Sequence, residues 1–373
     1  MQEIKMKTIF ITGGHFTPAL AIIENLPKDL WRIFYVGRKH SLEGDAALSQ
    51  EYIRIRASGF TFVSLTTGRL QRTLTRFSLT SLLKIPLGFI QAAYYILTCK
   101  PDVVLSFGGY VAVPVVVVSW FLRIPIVTHE QTLAPGLANK IISFFSKKIC
   151  IAWKQEQSFF PAKKTIYTGN PLRNEIFQTI RSLPLPVTTR PLIYITGGNQ
   201  ESHSLNEIVE KALDRLLAKY TVVHQCGNAF EFKDYERLLK LRETLPEKVK
   251  NHYHLYQFIT EEYIGWLLKK TDLVVGRAGA NMVSELIALA KVAILIPLPW
   301  AGENEQIKNA RLLEKQGAAK VIEQKDLTPE VLTETIVDVL KQHAAYSKNL
   351  NTLKYLVPLN AAENIIRVVE SVV

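Results

Sequence analysis

The sequence is poor in the residues and spacings that staple a chain or hold a metal. Cysteine occurs three times in 373 residues (Cys99, Cys150, Cys226), widely spaced and never as CxxC. That excludes a disulfide scaffold and points to a reducing cytosol. No HExxH, no close His/Cys set and no Asp-x-Asp is present, so no dedicated metal site is expected. Walker A is absent, and no strand-like run leads into GxGxxG, which disfavours nicotinamide and flavin chemistry. There is no repeat period and no low-complexity tract. Acidic residues are the scarcer charge, 33 against 45 Lys+Arg, leaving a net charge of +12 and an expected anionic partner. Nucleic acid is not that partner, because no basic-aromatic RNP pattern or DNA-reading motif occurs. Residues Met1–Lys7 carry no long apolar run and no small-residue cleavage site, so a mature cytoplasmic chain is expected.

The composition that remains is globular: 48 % apolar and 21 % charged residues, at a length that suggests about two domains. The longest uncharged run, Val103 to Phe121, approaches the roughly 20 residues of a membrane span. Its β-branched start (Val103-Val104-Leu105) is broken by Ser106-Phe107-Gly108-Gly109-Tyr110, and Pro114 interrupts the apolar residues beyond. This reads as strand, glycine turn and buried helix.

That grammar recurs. Thr8-Ile9-Phe10-Ile11 runs into Thr12-Gly13-Gly14-His15, and Leu192-Ile193-Tyr194-Ile195 into Thr196-Gly197-Gly198-Asn199. Leu273-Val274-Val275 runs into Gly276-Arg277-Ala278-Gly279-Ala280. Short continuous apolar runs are buried parallel strands, and helical stretches such as 205–219 and 282–290 separate them. The pattern predicts two doubly wound α/β sheets. The proline-bearing stretch 181–190 reads as the linker.

A glycine pair at a strand's carboxyl end exposes backbone N–H groups beside a helix N-terminus, a combination suited to phosphate. One pair only satisfies a tight turn, whereas glycine turns at four equivalent strand ends point to a ligand. Glu285, one to two turns into the helix opened by Gly279, could accept both hydroxyls of a ribose diol. The cluster Asn304-Glu305-Gln306-Ile307-Lys308-Asn309 after Pro297-Leu298-Pro299-Trp300 suits sugar hydroxyls.

Taken in order, these segments resemble the MurG family of peptidoglycan glycosyltransferases. The likeness rests on Thr12-Gly13-Gly14-His15, Phe107-Gly108-Gly109-Tyr110, His129-Glu130-Gln131, Thr168-Gly169-Asn170-Pro171-Leu172-Arg173, Arg277 through Glu285, and 304–310. It implies the GT-B fold, two Rossmann-like domains facing a central cleft. The expected bounds are 1–173 for an acceptor and membrane domain and 174–356 for a donor domain, with a last helix near 357–373 returning to the first. The implied reaction is inverting, metal-independent transfer of GlcNAc from UDP-GlcNAc to the 4-hydroxyl of undecaprenyl-diphosphate-linked MurNAc-pentapeptide, with no cofactor.

Donor contacts implied by the resemblance are Thr12, Gly13, Gly14, Arg173, Asn199, Phe258, Ile259 (to uracil through its backbone), Ala280, Asn281 and Met282 (at the diphosphate), Glu285 (ribose), and Glu305, Gln306 and Asn309 (GlcNAc). Acceptor contacts are His15, Gly108, Gly109, Tyr110, His129, Glu130, Gln131 and Thr132. His15 is the catalytic candidate, as base or as phosphate binder and loop ligand. The chain departs from the family pattern at Phe10-Ile11, at Thr132 in place of an amide, at Asn199-Gln200-Glu201-Ser202, and at Glu305. Alternatives are another lipid or glycan acceptor, a UDP-GlcNAc epimerase, or a non-catalytic relative. The cation-bearing apolar segment 69–84 is expected to touch an anionic membrane surface at the cytoplasmic face.

Overall fold

A computed structural model describes residues 6–40, 48–68, 78–186, 188–198, 203–227 and 232–373. The chain folds into two compact units. The first (Met1–Arg173 with Pro358–Val373) carries seven parallel strands. They are β1 (Lys7–Thr12), β2 (Trp31–Gly37), β3 (Thr61–Ser64), β4 (Val103–Ser106), β5 (Ile126–Glu130), β6 (Lys148–Ile151) and β7 (Thr165–Tyr167). Side chains alternate across the sheet, so each strand feeds two cores. Ile9, Ile11 and Leu105 pack against α1 (Phe16–Asn25), Ile55 of α2 (Gln50–Ala57), and Ile365 and Val369 of the C-terminal helix (Ala361–Glu370). Phe10 and Val104 pack the other way, against Ala92 and Ile96 of α3 (Ser78–Cys99), Val115 and Val116 of α4 (Ala112–Phe121), and Ile142 of α5 (Leu137–Phe145). The uncharged run at 103–121 is thus β4, a glycine turn and α4. Among the described residues no helix is long and apolar enough to cross a membrane.

The second unit (Asn174–Val357) has six parallel strands. They are β8 (Leu192–Thr196), β9 (Thr221–Gln225), β10 (Tyr253–Tyr256), β11 (Leu273–Gly276), β12 (Ala293–Leu295) and β13 (Lys320–Val321). Its helices are α6 (His203–Leu217), α7 (Asp234–Thr244), α8 (Glu247–Lys250), α9 (Glu261–Lys270), α10 (Ala280–Leu289), α11 (Glu305–Lys315), α12 (Pro329–Lys341) and α13 (His343–Leu353). The stretch 181–190 is not the boundary between units. It belongs to the second unit: the Arg181 N–H donates to the Glu262 carbonyl at 2.9 Å, its guanidinium meets Glu262 Oε2 at 3.1 Å, and Leu183 is buried. Proline removes ladder donors but not the ability to dock, so the composition misled.

The strand orders are β3-β2-β1-β4-β5-β6-β7 and β10-β9-β8-β11-β12-β13. Each reverses direction once, between β1 and β4 and between β8 and β11. In doubly wound sheets a ligand binds outside the carboxyl ends of the strands at that reversal. The four strands flanking the two reversals are the same four that run into glycine turns.

Candidate active site

In the first unit the turns after β1 and β4 interlock. Gly13 has φ +146°, and a Cβ there would lie 2.6 Å from the Phe107 carbonyl carbon. Gly109 has φ +78°, and its Cβ would lie 2.9 Å from the Gly14 nitrogen. Only glycine permits this approach, which the Gly14 N–H closes by donating to the Gly108 carbonyl at 2.9 Å. Ser106 Oγ accepts from the Gly108 N–H at 3.1 Å. His15 stands at the N-cap of α1, which has no side-chain cap and no acidic residue in its first turn. Its leading N–H groups suit an anion.

The end of β5 supplies the polar wall. His15 Nδ1 lies 2.6 Å from Gln131 Nε2, and the Gln131 carbonyl accepts from the Trp153 indole N–H at 3.1 Å. The Glu130 carboxylate takes the Thr132 N–H at 2.9 Å on Oε1 and the Asn139 amide at 2.7 Å on Oε2. The Thr132 hydroxyl sits 2.8 Å from Glu130 Oε1 and 2.7 Å from the Ala134 carbonyl. His129 Nε2 pairs with the Gly169 carbonyl at 3.0 Å. Burial dominates the titration of these groups. It pushes His15 and His129 down to about 4, raises Glu130, and raises Glu156, whose neighbour Glu130 adds to the effect, to about 10. Tyr110 extends the wall, its hydroxyl accepting from Arg38 Nη1 at 3.0 Å.

In the second unit the turn after β11 opens α10. Its N-cap, Gly279, makes no side-chain cap, and the first turn carries no acid. Two amides three residues apart on α11 grip this turn. Gln306 Oε1 accepts from the Ala278 N–H at 3.3 Å and the Leu298 N–H at 3.1 Å, and Asn309 Nδ2 donates to the Ala278 carbonyl at 3.0 Å. Arg277 is buried at the end of β11. Its guanidinium donates to Gln324 Oε1 at 2.6 Å, the Ile296 carbonyl at 3.2 Å and Ser204 Oγ at 3.0 Å, tying three loops together. Gln225 Oε1 accepts from the Tyr194 hydroxyl at 3.1 Å and the Ile259 N–H at 3.2 Å.

The residues singled out in the sequence therefore fall into two groups. Thr12, Gly13, Gly14, His15, Gly108, Gly109, Tyr110, His129, Glu130, Gln131, Thr132 and Arg173 lie in the first unit. All but Arg173 gather at its reversal or the neighbouring β5 end. Phe258, Ile259, Ala280, Asn281, Met282, Glu285, Glu305, Gln306 and Asn309 lie in the second. Glu285 is buried on α10, one to two turns from its start. Asn309, which the resemblance places against a sugar hydroxyl, is fully buried with its amide nitrogen on the Ala278 carbonyl. Asn199, with Gln200, Glu201 and Ser202, and residues 69–77 of the basic segment lie outside the described residues. Sequence reasoning passed over Arg38, Asn139, Trp153, Glu156 and Gln225, none of which carries a local signal. It quoted Arg277 within a family motif and gave it no role. Among the described residues no group of His, Cys, Asp or Glu is arranged to hold a metal ion.

Known proteins share this arrangement. Residues 12–151 match the glycosyltransferase family 28 N-terminal domain and residues 192–362 its C-terminal domain. The chain is 34 % identical over 354 residues to a UDP-N-acetylglucosamine--N-acetylmuramyl-(pentapeptide) pyrophosphoryl-undecaprenol N-acetylglucosamine transferase 2 of Bacillus cereus, covering 92 % of this chain and 95 % of that one. A Clostridium perfringens transferase of the same description, without the numeral, is 33 % identical over 378 residues, 98 % of this chain and 99 % of its own. The crystal structure of Acinetobacter baumannii MurG superposes with a TM-score of 0.70 at 24 % identity, covering 98 % of this chain and 99 % of that chain, a likeness of fold.

Proposed function

Since the chain belongs to the MurG family of N-acetylglucosaminyltransferases, we propose that it transfers GlcNAc from UDP-GlcNAc to undecaprenyl-diphosphate-linked MurNAc-pentapeptide, the step from lipid I to lipid II in peptidoglycan synthesis. The observation that carries this reading is the coincidence of both sheet reversals with uncapped, glycine-led helix N-termini, one in each unit. Two anionic substrates need two such cradles. The acceptor 4-hydroxyl oxygen bonds to the anomeric carbon as that carbon's bond to the UDP β-phosphate oxygen breaks. UDP leaves, the hydroxyl proton is released, and configuration inverts.

The donor lies at the second unit. There the N–H groups of Ala280, Asn281 and Met282 at the α10 terminus receive the diphosphate, Glu285 the ribose, and Ile259 with Phe258 the uracil. Gln306 and Glu305 face the GlcNAc, and Asn309 holds the turn. Preorganised N–H donors and the helix dipole stabilise the leaving diphosphate without a metal ion. The acceptor sugar lies at the first unit against His15, Tyr110 and Gln131.

The lipid tail calls for a membrane surface, and the first unit offers one. Leu83, Leu87, Ile90, Tyr94 and Leu97 form an exposed stripe along α3 at alternating spacings of four and three. Trp120 and Phe121 at the end of α4 and Phe144 on α5 are exposed as well, Phe144 at 74 %. Arg123, Lys147 and Lys164 line the same recess as these aromatics. Apolar side chains flanked by cations suit an anionic bilayer face, with peripheral attachment. Ile90→Ser with Phe144→Ser is expected to abolish sedimentation with phosphatidylglycerol vesicles and leave UDP-GlcNAc binding intact.

The reaction is tested by UDP release from UDP-GlcNAc and a short-chain lipid I analogue, with EDTA present. Acceptor-dependent release that survives EDTA and falls about a hundredfold in His15→Ala is expected. UDP-GlcNAc binding without acceptor-dependent release would remove lipid I as the acceptor.

A further inference from the structure

We infer that Gln131 is a positioning residue that holds His15 in the tautomer with its proton on Nε2, so that His15 meets the substrate as a hydrogen-bond donor and not as the group that takes the hydroxyl proton. An amide nitrogen has hydrogens to give and no lone pair to offer. The 2.6 Å contact from Gln131 Nε2 to His15 Nδ1 therefore makes Nδ1 the acceptor. A neutral imidazole has one N–H, and with Nδ1 accepting it must lie on Nε2.

The opposite tautomer requires the amide turned over, with Oε1 facing an Nδ1–H. As it stands, Gln131 Oε1 is buried and has no partner among the described residues. Turning the amide would exchange an orphaned carbonyl oxygen for an orphaned N–H, the rarer and costlier of the two. Nor can Gln131 swing away. It is 5 % exposed, its backbone carbonyl is held by Trp153, and the preceding residue, Glu130, is anchored by Asn139 and Thr132. The charge of the ring agrees, since burial pushes its pKa down to about 4 and leaves it neutral at pH 7. A neutral ring presenting N–H in a desolvated crevice, beside the uncapped α1 terminus, suits an oxygen that is negative or becoming so.

The inference rests on the proposed reaction for the identity of the substrate. The tautomer itself is a property of the protein alone, and the test exploits that. Two-bond proton–nitrogen correlation spectra of the full-length, nitrogen-15-labelled protein are recorded at pH 7 without substrate, with His15 assigned by its disappearance in His15→Asn. A protonated Nε2 with a bare Nδ1 is expected. Gln131→Met removes both amide groups, so nothing at this position donates to Nδ1. A mixture of tautomers is then expected, while kcat falls at least about tenfold and the calorimetric Kd for UDP-GlcNAc is unchanged. A wild-type ring protonated on Nδ1 overturns the inference, as does a Gln131→Met ring that keeps only the Nε2–H form. Should Gln131→Met fail to fold, the wild-type spectrum alone decides. Failure with lipid I in the turnover assay leaves the spectra, and hence this inference, untouched.

Discussion

The two strand-end sites solve one problem with different materials. In the first unit the groups beside the glycine turns are held by one another: Gln131 by His15, Glu130 by Asn139 and Thr132, His129 by a carbonyl. Three of them can change protonation state, and burial pushes His15 and His129 down to about 4 and Glu130 up. In the second unit the turn is held by amides and one guanidinium acting on backbone, groups with no titration near neutrality. The first unit's site is thus sensitive to pH and to tautomer. The second unit's is a fixed cradle.

The sharpest way to break this contrast is through the glycines. Gly13→Ala combines φ +146° with a Cβ 2.6 Å from backbone that cannot retreat. It is expected to destabilise the protein by about 3 kcal/mol or prevent folding. Gly198→Ala in the second unit shares the left-handed backbone, φ +82°, but among the described residues its Cβ meets nothing within 4 Å. About 1 kcal/mol is expected there. Urea unfolding of both variants reads the difference, and equal losses would mean that close packing of the first crevice contributes nothing.

A smaller effect should appear with pH. Glu156 titrates near 4.5 when unfolded and near 10 when folded. Between those values the folded chain keeps a proton the unfolded chain has released, so stability falls as pH rises. Glu156→Gln lacks that loss. It is expected to match wild type near pH 5 and to exceed it by on the order of 2 kcal/mol at pH 8. The histidines with lowered pKa act oppositely. His15, His129 and His224, pushed down to about 4, contribute stability above pH 6.5 that is lost as pH falls toward 4. A thermal-melt series from pH 4 to pH 9 in which Glu156→Gln runs parallel to wild type would refute the account of Glu156.

The smallest effect belongs to the second unit. Asn309→Ala frees the Ala278 carbonyl and is expected to raise KM for UDP-GlcNAc about tenfold, close to 1.4 kcal/mol, with little change in kcat. Loss of kcat at constant KM would mean that Asn309 serves the reaction centre and not the turn.

Much of this architecture is legible in the sequence, for a definite reason. Strands buried on both faces become unbroken apolar runs, and turns that bring backbone against backbone demand glycine. Thr8–Ile11 into Gly13-Gly14 and Val103–Leu105 into Gly108-Gly109 announce both the strands and the place where they open. Cross-chain bracing stays hidden. Nothing local to Asn309 or Gln306 says that both grip Ala278, and nothing near Asn139 says that it completes Glu130. His203 and His224 read as ordinary surface or core residues. They belong to a buried network through Asn206 and Asp234, visible only once α6, β9 and α7 are assembled. The linker reading failed because proline content reports backbone freedom, while Arg181 and Leu183 report docking.

The C-terminal helix has a consequence for how the protein is made. Ile365, Ile366, Val368 and Val369 fill the same core as α1 and β1, elements that leave the ribosome before the whole of the second unit. Translation proceeds at roughly 5–20 residues per second, so the amino-terminal core waits many seconds for its closing piece. During that interval the nascent chain carries an unfinished apolar face on α1 while the intervening unit is free to complete itself. Folding therefore finishes out of chain order, and a chain cut back to residue 357 keeps the second unit whole and leaves the first without its closing helix.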